Sequence, residues 1–247
     1  MANQASSPHC HSIPQINCSS CRLNTLCLPI SLELKDISRL DEIIQRGRPI
    51  QKGERVYHAG EKFRSVYAVR SGAIKTVSIT QDGQEQITGF YLPGEIIGMD
   101  GLATNTHSNA AIALETSAVC EIPFSRLEEL SVQLPNLQRR FFQLMSKEIT
   151  SDQQLITLLS KNNADQRIAS LLLSISARNQ SRGLSPEEFY LPMSRSDIGN
   201  YLGLTIETVS RVMGRLHKQN IIQLDKKHVL ITDMTALRNL AFSTEKN

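Results

Sequence analysis

The sequence predicts an α+β chain in three parts: an antiparallel β-roll of jelly-roll type, a long helix, and a winged helix-turn-helix. Three observations carry this reading. Between about Pro49 and Pro123, short β-rich runs alternate with glycines at 53, 60, 72, 83, 94, 98 and 101, the texture of short antiparallel strands joined by turns. From Phe124 to Ser160 the apolar residues recur at helical spacing, interrupted once at Pro135. The last third holds two short helical segments joined by a glycine, then a lysine turn and the strand-like HVLIT. The expected division is a cysteine-rich segment (1–30), the β-roll (31–123), the long helix (124–160) and the helix-turn-helix domain (161–247).

The elements follow in order. A short amphipathic helix is expected in SLELKDISRLDEIIQRG, with Leu34, Ile37, Leu40, Ile43 and Ile44 on one face and Gly47 closing it. The strands are expected in RVYHAG, SVYAVRSG, IKTVSIT, EQITGFYL, AIALE and AVCEI, with Asp82–Gly83 as a hairpin turn. The long helix carries two apolar stripes. Leu134, Leu137, Phe141 and Leu144 form one. The other is Phe142, Met145, Ile149, Asp152, Ile156 and Leu159, an a/d seam with a single charged member. Such a helix can pack on its own domain with one face and on a second copy with the other, so a homodimer is expected. In a two-fold seam Asp152 would face its own copy, and two carboxylates ~5 Å apart repel by roughly 3 kcal/mol.

Composition narrows the function classes. The 247 residues are 40% hydrophobic and 21% charged, as in folded chains. No stretch approaches the ~20 apolar residues of a membrane span, and MANQASSPHCHSIPQ has neither the basic start nor the apolar core of a signal peptide. A cytoplasmic chain with no membrane partner is expected. Net charge is +3, unevenly placed: residues 1–160 carry 15 basic and 16 acidic side chains, residues 161–247 carry 12 and 8. The basic final third fits a polyanionic partner. Nothing in the sequence forms a flavin or nicotinamide site, and the chain is expected not to be an enzyme.

The most specific pattern is SRSDIGNYLGLTIETVSRVMGRLHKQNII. Ser194 and Asp197 have the spacing of a capping box. Gly199 is small where two helices must cross, Gly203 can take a left-handed turn, and Thr205 can cap the second helix. With Ile198, Leu202, Leu204, Val209 and Val212 buried between the helices, Glu207, Ser210 and Arg211 face outward. These suit the major groove of double-stranded DNA, where glutamate accepts from cytosine and arginine forks onto guanine. A surface ion pair between Glu207 and Arg211 is the plainer alternative. Arg195, Arg215, Lys218 and Lys226–Lys227 are candidates for phosphate contacts.

Five cysteines complete the inventory. Cys18, Cys21 and Cys27 are close enough in sequence for three thiolates to converge, and Cys120 could supply a fourth. In a reducing compartment this spacing admits an iron–sulfur cluster, a zinc ion or a thiol redox switch. Cys10, between His9 and His11, is expected to be a bystander.

Taken together, CSSCRLNTLCLP, DGQEQITGFYLPGEIIGMD and SRSDIGNYLGLTIETVSR resemble the Crp/Fnr family of bacterial transcription regulators, in its oxygen-sensing FNR branch with the Anr-type proteins. The resemblance runs from about Cys18 to the C-terminus. It implies a cyclic-nucleotide-binding-like β-roll, and a [4Fe–4S] cluster on Cys18, Cys21, Cys27 and Cys120. It also implies a dimer on palindromes of the TTGAT…ATCAA kind, loosened when oxygen destroys the cluster. Glu207, Ser210 and Arg211 match the family's base-reading positions, and the turn Gln81–Asp82–Gly83 resembles its RNA polymerase contact. Members that bind cyclic AMP hold its phosphate with an Arg-Ser pair, whereas TNTHSNAAIALE has no arginine, so no cyclic nucleotide is expected. Arg22, following Cys21, is expected to set a cation beside the cluster.

Overall fold

The computed structural model describes residues 17–80 and 82–242. Cys10 with its flanking histidines, and Gln81 of the hairpin turn, lie outside the described residues.

A 3₁₀ turn over Leu28–Ser31 leads into α1 (Leu34–Ile43), followed by the short strand β1 (Gln45–Arg46). Next come β2 (Arg55–Tyr57), β3 (Ser65–Ser71), β4 (Ile74–Ile79), β5 (Glu85–Tyr91), β6 (Ile96–Ile97), β7 (Ala110–Ala113) and β8 (Ala118–Pro123). They form two four-stranded antiparallel sheets, ordered β1-β8-β3-β6 and β2-β7-β4-β5. The chain passes back and forth between the two sheets, staying in one sheet only for the β4–β5 hairpin, as in a jelly roll. Tyr57, Val69, Ile74, Ile97, Ala111 and Ala113 fill the space between them.

One expectation fails at the start of the roll. The first helix ends at Ile43, not at Gly47, because Gln45 and Arg46 pair with Glu121 and Cys120 on β8. Ile37 and Leu40 are buried as expected, whereas Leu34 stands in solvent.

The long helical region is two helices, α2 (Phe124–Gln133) and α3 (Pro135–Lys161). Proline has no N–H to donate and is tolerated in a first turn, so Pro135 ends one helix and starts the next. Leu134, Leu137 and Phe141 are buried against the roll with Leu28, Leu40 and Ile122.

Beyond α3 lie α4 (Ala164–Ser181), β9 (Glu188–Tyr190), α5 (Arg195–Leu202), α6 (Ile206–Lys218), β10 (Ile222–Asp225), β11 (His228–Ile231) and α7 (Met234–Phe242). Strands β10-β11-β9 form a small antiparallel sheet beside the helix pair, which makes the wing. The core of this half is continuous with the roll: Val77, Ile87 and Phe90 belong to the same buried cluster as Ile168, Leu172, Ile198 and Val209. No helix among the described residues is long and apolar enough to cross a membrane.

Candidate functional site

Two sites emerge. The first is a cavity where the N-terminal segment lies over the β1-β8 edge. Cys18, Cys21 and Cys27 line it from the segment and Cys120 lines it from β8, together with Leu23, Leu28, Leu40, Arg46 and Arg70. Its empty space, including the mouth open to solvent, is about 490 Å³. All four cysteines are free thiols.

Turns in the backbone gather the three N-terminal sulfurs. The N–H groups of Asn24 and Cys27 donate to the carbonyls of Cys21 and Leu23, coiling the segment between the second and third cysteine. The Cys18 N–H donates to Asp41 Oδ1 at 2.7 Å, which fixes the first cysteine on α1. Burial pushes the Cys27 thiol up to about 12, and burial also raises Cys18 and Cys120. The guanidinium of Arg46 opposes the shift at Cys18 and Cys120, and that of Arg140 opposes it at Cys27. A metal centre binding here would therefore displace thiol protons. Among the described residues no three such side chains converge tightly enough for a single metal ion.

The cations differ from the sequence expectation. Arg22 is exposed and does not line the cavity; Arg46 and Arg70 do. Arg46 is ion-paired to Asp41, its Nη2 lies 3.7 Å from Cys18 Sγ, and its Nε is buried with no hydrogen-bond partner. Arg140, on α3, donates to the carbonyls of Leu26 and Cys27. The cysteine segment is thus tied directly to the long helix.

The second site is the helix pair α5–α6. The Ser194 side chain accepts from the Asp197 N–H while Asp197 accepts from the Ser194 N–H, a complete capping box. Gly203 turns the chain at φ +63°, a conformation costly for residues with a Cβ. A Cβ on Gly199 would stand 2.6 Å from the Leu204 carbonyl oxygen, so the helices cross there only because glycine has none. Thr205 caps α6 by accepting from the Thr208 N–H at 3.2 Å.

On the outer face of α6, Glu207 and Arg211 are exposed and Ser210 is half-buried. Among the described residues Glu207 and Arg211 form no ion pair with each other; Arg211 Nη2 instead lies 3.4 Å from Thr208 Oγ1. Local hydrogen bonds from its own N–H and from Thr205 hold the Glu207 carboxyl below its ordinary range. Arg195 opens α5, half-buried, and Lys218 and Lys226 are exposed. Two of the phosphate-contact candidates are engaged within the fold. Arg215 is ion-paired to Asp165, and Lys227 donates to the Pro192 carbonyl at 2.8 Å.

Between the sites runs α3. Phe142, Ile149 and Ile156 are about 60% exposed, Asp152 is exposed, and Met145 and Leu159 are half-buried. Burial raises the Asp152 carboxyl, and the Glu148 carboxyl one turn away is also raised, by burial first and then by Asp152 among its neighbours. At the end of α3, Arg167 donates to the carbonyls of Leu159, Asn162 and Leu202 at 2.8–2.9 Å. It joins the last turn of α3 to the last turn of α5, where cations are favoured. Nothing in the residue spacing marks this arginine.

In the late part of the roll, the stretch without arginine folds around an internal anion. Asp100 Oδ2 accepts from the N–H groups of Ser108 and Asn109 and from the Ser108 hydroxyl, at 2.8–3.1 Å. Its Oδ1 lies 3.2 Å from Nδ1 of the buried His107, whose ring stacks on Tyr57.

Comparison with known proteins agrees with this architecture. Residues 166–240 match the Crp-like helix-turn-helix domain, and residues 47–133 match the cyclic nucleotide-binding domain. The chain is 54% identical to the transcriptional activator protein anr of Pseudomonas aeruginosa, over 93% of this chain and 94% of that one. It is 48% identical to the fumarate and nitrate reduction regulatory protein of Escherichia coli, over 93% and 92%. Among solved structures, FixK2 from Bradyrhizobium japonicum superposes with a TM-score of 0.75 at 30% identity, covering 82% of this chain and 99% of that one. The fold alone is shared with TTHB099 from Thermus thermophilus, with a TM-score of 0.64 at 20% identity, over 81% and 99%. With a β-roll, a long helix and a capped helix pair in this order, the chain belongs to the Crp/Fnr family of transcription regulators, in the FNR/Anr branch.

Proposed function

We propose that this regulator is oxygen-responsive: Cys18, Cys21, Cys27 and Cys120 hold a [4Fe–4S] cluster whose presence favours a DNA-binding homodimer. The observation that carries the reading is the shared cavity. Three cysteines of the N-terminal segment and one of β8 face the same space, alongside arginines. The donor set fits the group. Four thiolates suit a cluster, an apolar wall of leucines limits solvent, and the unpartnered Arg46 Nε offers a hydrogen bond to sulfur. A four-iron core is wider than a single ion, so its ligands need not converge on one point. When bound, the cluster supplies an oxygen-labile link between the cysteine segment and β8.

The protein's own side chains carry the consequence to DNA. With all four cysteines engaged, the segment is fixed, and Arg140 holds its Leu26 and Cys27 carbonyls against α3. That places the exposed apolar seam of α3 for a second copy, with Asp152 as the residue that opposes pairing. Arg167 relays the position of α3 to α5. In the dimer, two α6 helices meet two half-sites of a palindrome of the TTGAT type, with Glu207, Ser210 and Arg211 at the base edges.

Further parts of the reading rest on single features. The Asp100 carboxylate satisfies the amides a ligand phosphate would seek, which supports a roll that works without cyclic nucleotide. The exposed β4–β5 hairpin tip at Asp82–Gly83 is assigned to RNA polymerase contact, and the protein to the cytoplasm. A zinc or thiol-redox site on the same cysteines, and an iron–sulfur electron carrier, are the alternatives.

Iron, acid-labile sulfide and zinc are to be measured per chain in protein purified under nitrogen, for wild type and Cys120→Ser. Iron and sulfide in equal amounts in the wild type, lost in the variant, support the cluster. Stoichiometric zinc, or neither metal, contradicts it.

A further inference from the structure

We infer that Arg46 holds the cluster: its guanidinium donates to the Cys18 thiolate and, through Nε, to a further sulfur in the cavity. The inference rests on the cluster reading above and adds a residue that is not itself a ligand. Arg46 sits on β1 directly opposite Cys120 in the strand register, so one short strand brings it to the fourth sulfur. Its Nη2 lies 3.7 Å from Cys18 Sγ, within reach of a hydrogen bond to sulfur. Asp41 pins both parties at once, through its ion pair to Arg46 and its hydrogen bond from the Cys18 N–H.

Nε has no acceptor among the described residues, although it is buried. A buried N–H left unpaired is destabilising, more so in a charged group, so such atoms call for an explanation. The cavity that Arg46 lines brings the sulfurs of Cys18, Cys21, Cys27 and Cys120 to the same space, and these are the acceptors its unpaired Nε would serve. Thiolate and sulfide are acceptors, and a four-thiolate core is anionic. A cation fixed beside it by a carboxylate lowers the tendency of the centre to come apart. Outer partners of metal ligands change affinity by about 10–100-fold.

The test uses the full chain reconstituted under nitrogen with ferrous iron and sulfide, then challenged anaerobically with a ferrous chelator while visible absorbance is followed. Arg46→Gln is expected to lose its cluster about tenfold faster than wild type, the low end of that range. Arg46→Lys, which keeps the charge, is expected to fall between the two, with thermal unfolding of the apoproteins little changed. Equal rates for wild type and Arg46→Gln overturn the role of Arg46 and leave the cluster standing. If Arg46→Gln takes up no cluster but keeps its native circular dichroism, the role is supported. If neither variant keeps native circular dichroism, Arg46 serves the fold alone and the proposal falls. A wild type that takes up no cluster overturns the cluster reading itself, and this proposal with it.

Discussion

The Lys75 ammonium lies 2.7 Å from the Asp197 carboxylate, joining β4 of the roll to the first helix of the DNA-reading pair. Beside it the Asn200 carboxamide continues the edge of β5, accepting from the Ile87 N–H at 2.6 Å and donating to the Glu85 carbonyl at 2.8 Å. The reading helices are thus seated on the roll by groups that also shape α5, since Asp197 closes its capping box. Burial raises the Asp197 carboxyl, but the hydrogen bonds from Lys75 and Ser194 outweigh it and hold the group below its ordinary value. A depressed carboxylate stabilises the fold above its unfolded pKa, about 4, and the contribution disappears as pH falls through the folded value. Lys75→Met is expected to lose about 1–2 kcal/mol near neutrality, between the costs for exposed and for buried pairs. Urea unfolding at a series of pH values checks this: the gap between wild type and variant narrows as the pH falls below the unfolded value and the carboxylate is protonated. A gap that does not change with pH contradicts it.

Gly199→Ala tests the crossing of α5 and α6. Alanine ordinarily favours a helix by about 1 kcal/mol over glycine, yet here its Cβ meets a backbone oxygen at 2.6 Å. Overpacking against backbone costs about 1–3 kcal/mol, so the variant is expected to melt lower and bind operator more weakly. A higher melting temperature would show that the crossing can open.

Arg211→Ala is expected to cost about 1–3 kcal/mol of operator affinity and to relax discrimination at one base pair of each half-site. Lys218→Ala is expected to weaken binding to all sequences alike and to flatten the salt dependence. Fluorescence anisotropy on operators with single substitutions, at two salt concentrations, separates the two effects. If Arg211→Ala loses affinity uniformly across sequences, it is a phosphate contact.

Asp152→Ala removes the one charge from the exposed seam of α3. The variant is expected to sediment as a dimer in air and to bind operator after its cluster is lost. Monomeric Asp152→Ala in air would place the control of pairing elsewhere.

What the residues disclosed before the structure depended on whether the constraint was local. The helix pair was readable because a capping box, a left-handed glycine and a close crossing each demand particular residues within a few positions. Pro135 marked its helix break for the same reason, through its missing N–H. Arg46 was hidden. It belongs to a two-residue strand too short to carry an alternating pattern, and its partner Cys120 is far along the chain. Arg22 misled in the opposite way, because adjacency to Cys21 in sequence did not turn its side chain into the cavity. Asp100 and Arg167 act through backbone groups brought to them by the turns of the chain, which leave no trace in residue spacing.

Operator binding and sedimentation, measured on one preparation purified under nitrogen and again after exposure to air, decide whether the cluster controls pairing and DNA binding. Coloured, iron-containing dimers that bind a palindromic operator are expected under nitrogen, and bleached, mainly monomeric protein with much weaker binding once air has entered. Protein that is colourless and free of iron from the outset, yet dimerises and binds the operator equally before and after air, would contradict this expectation.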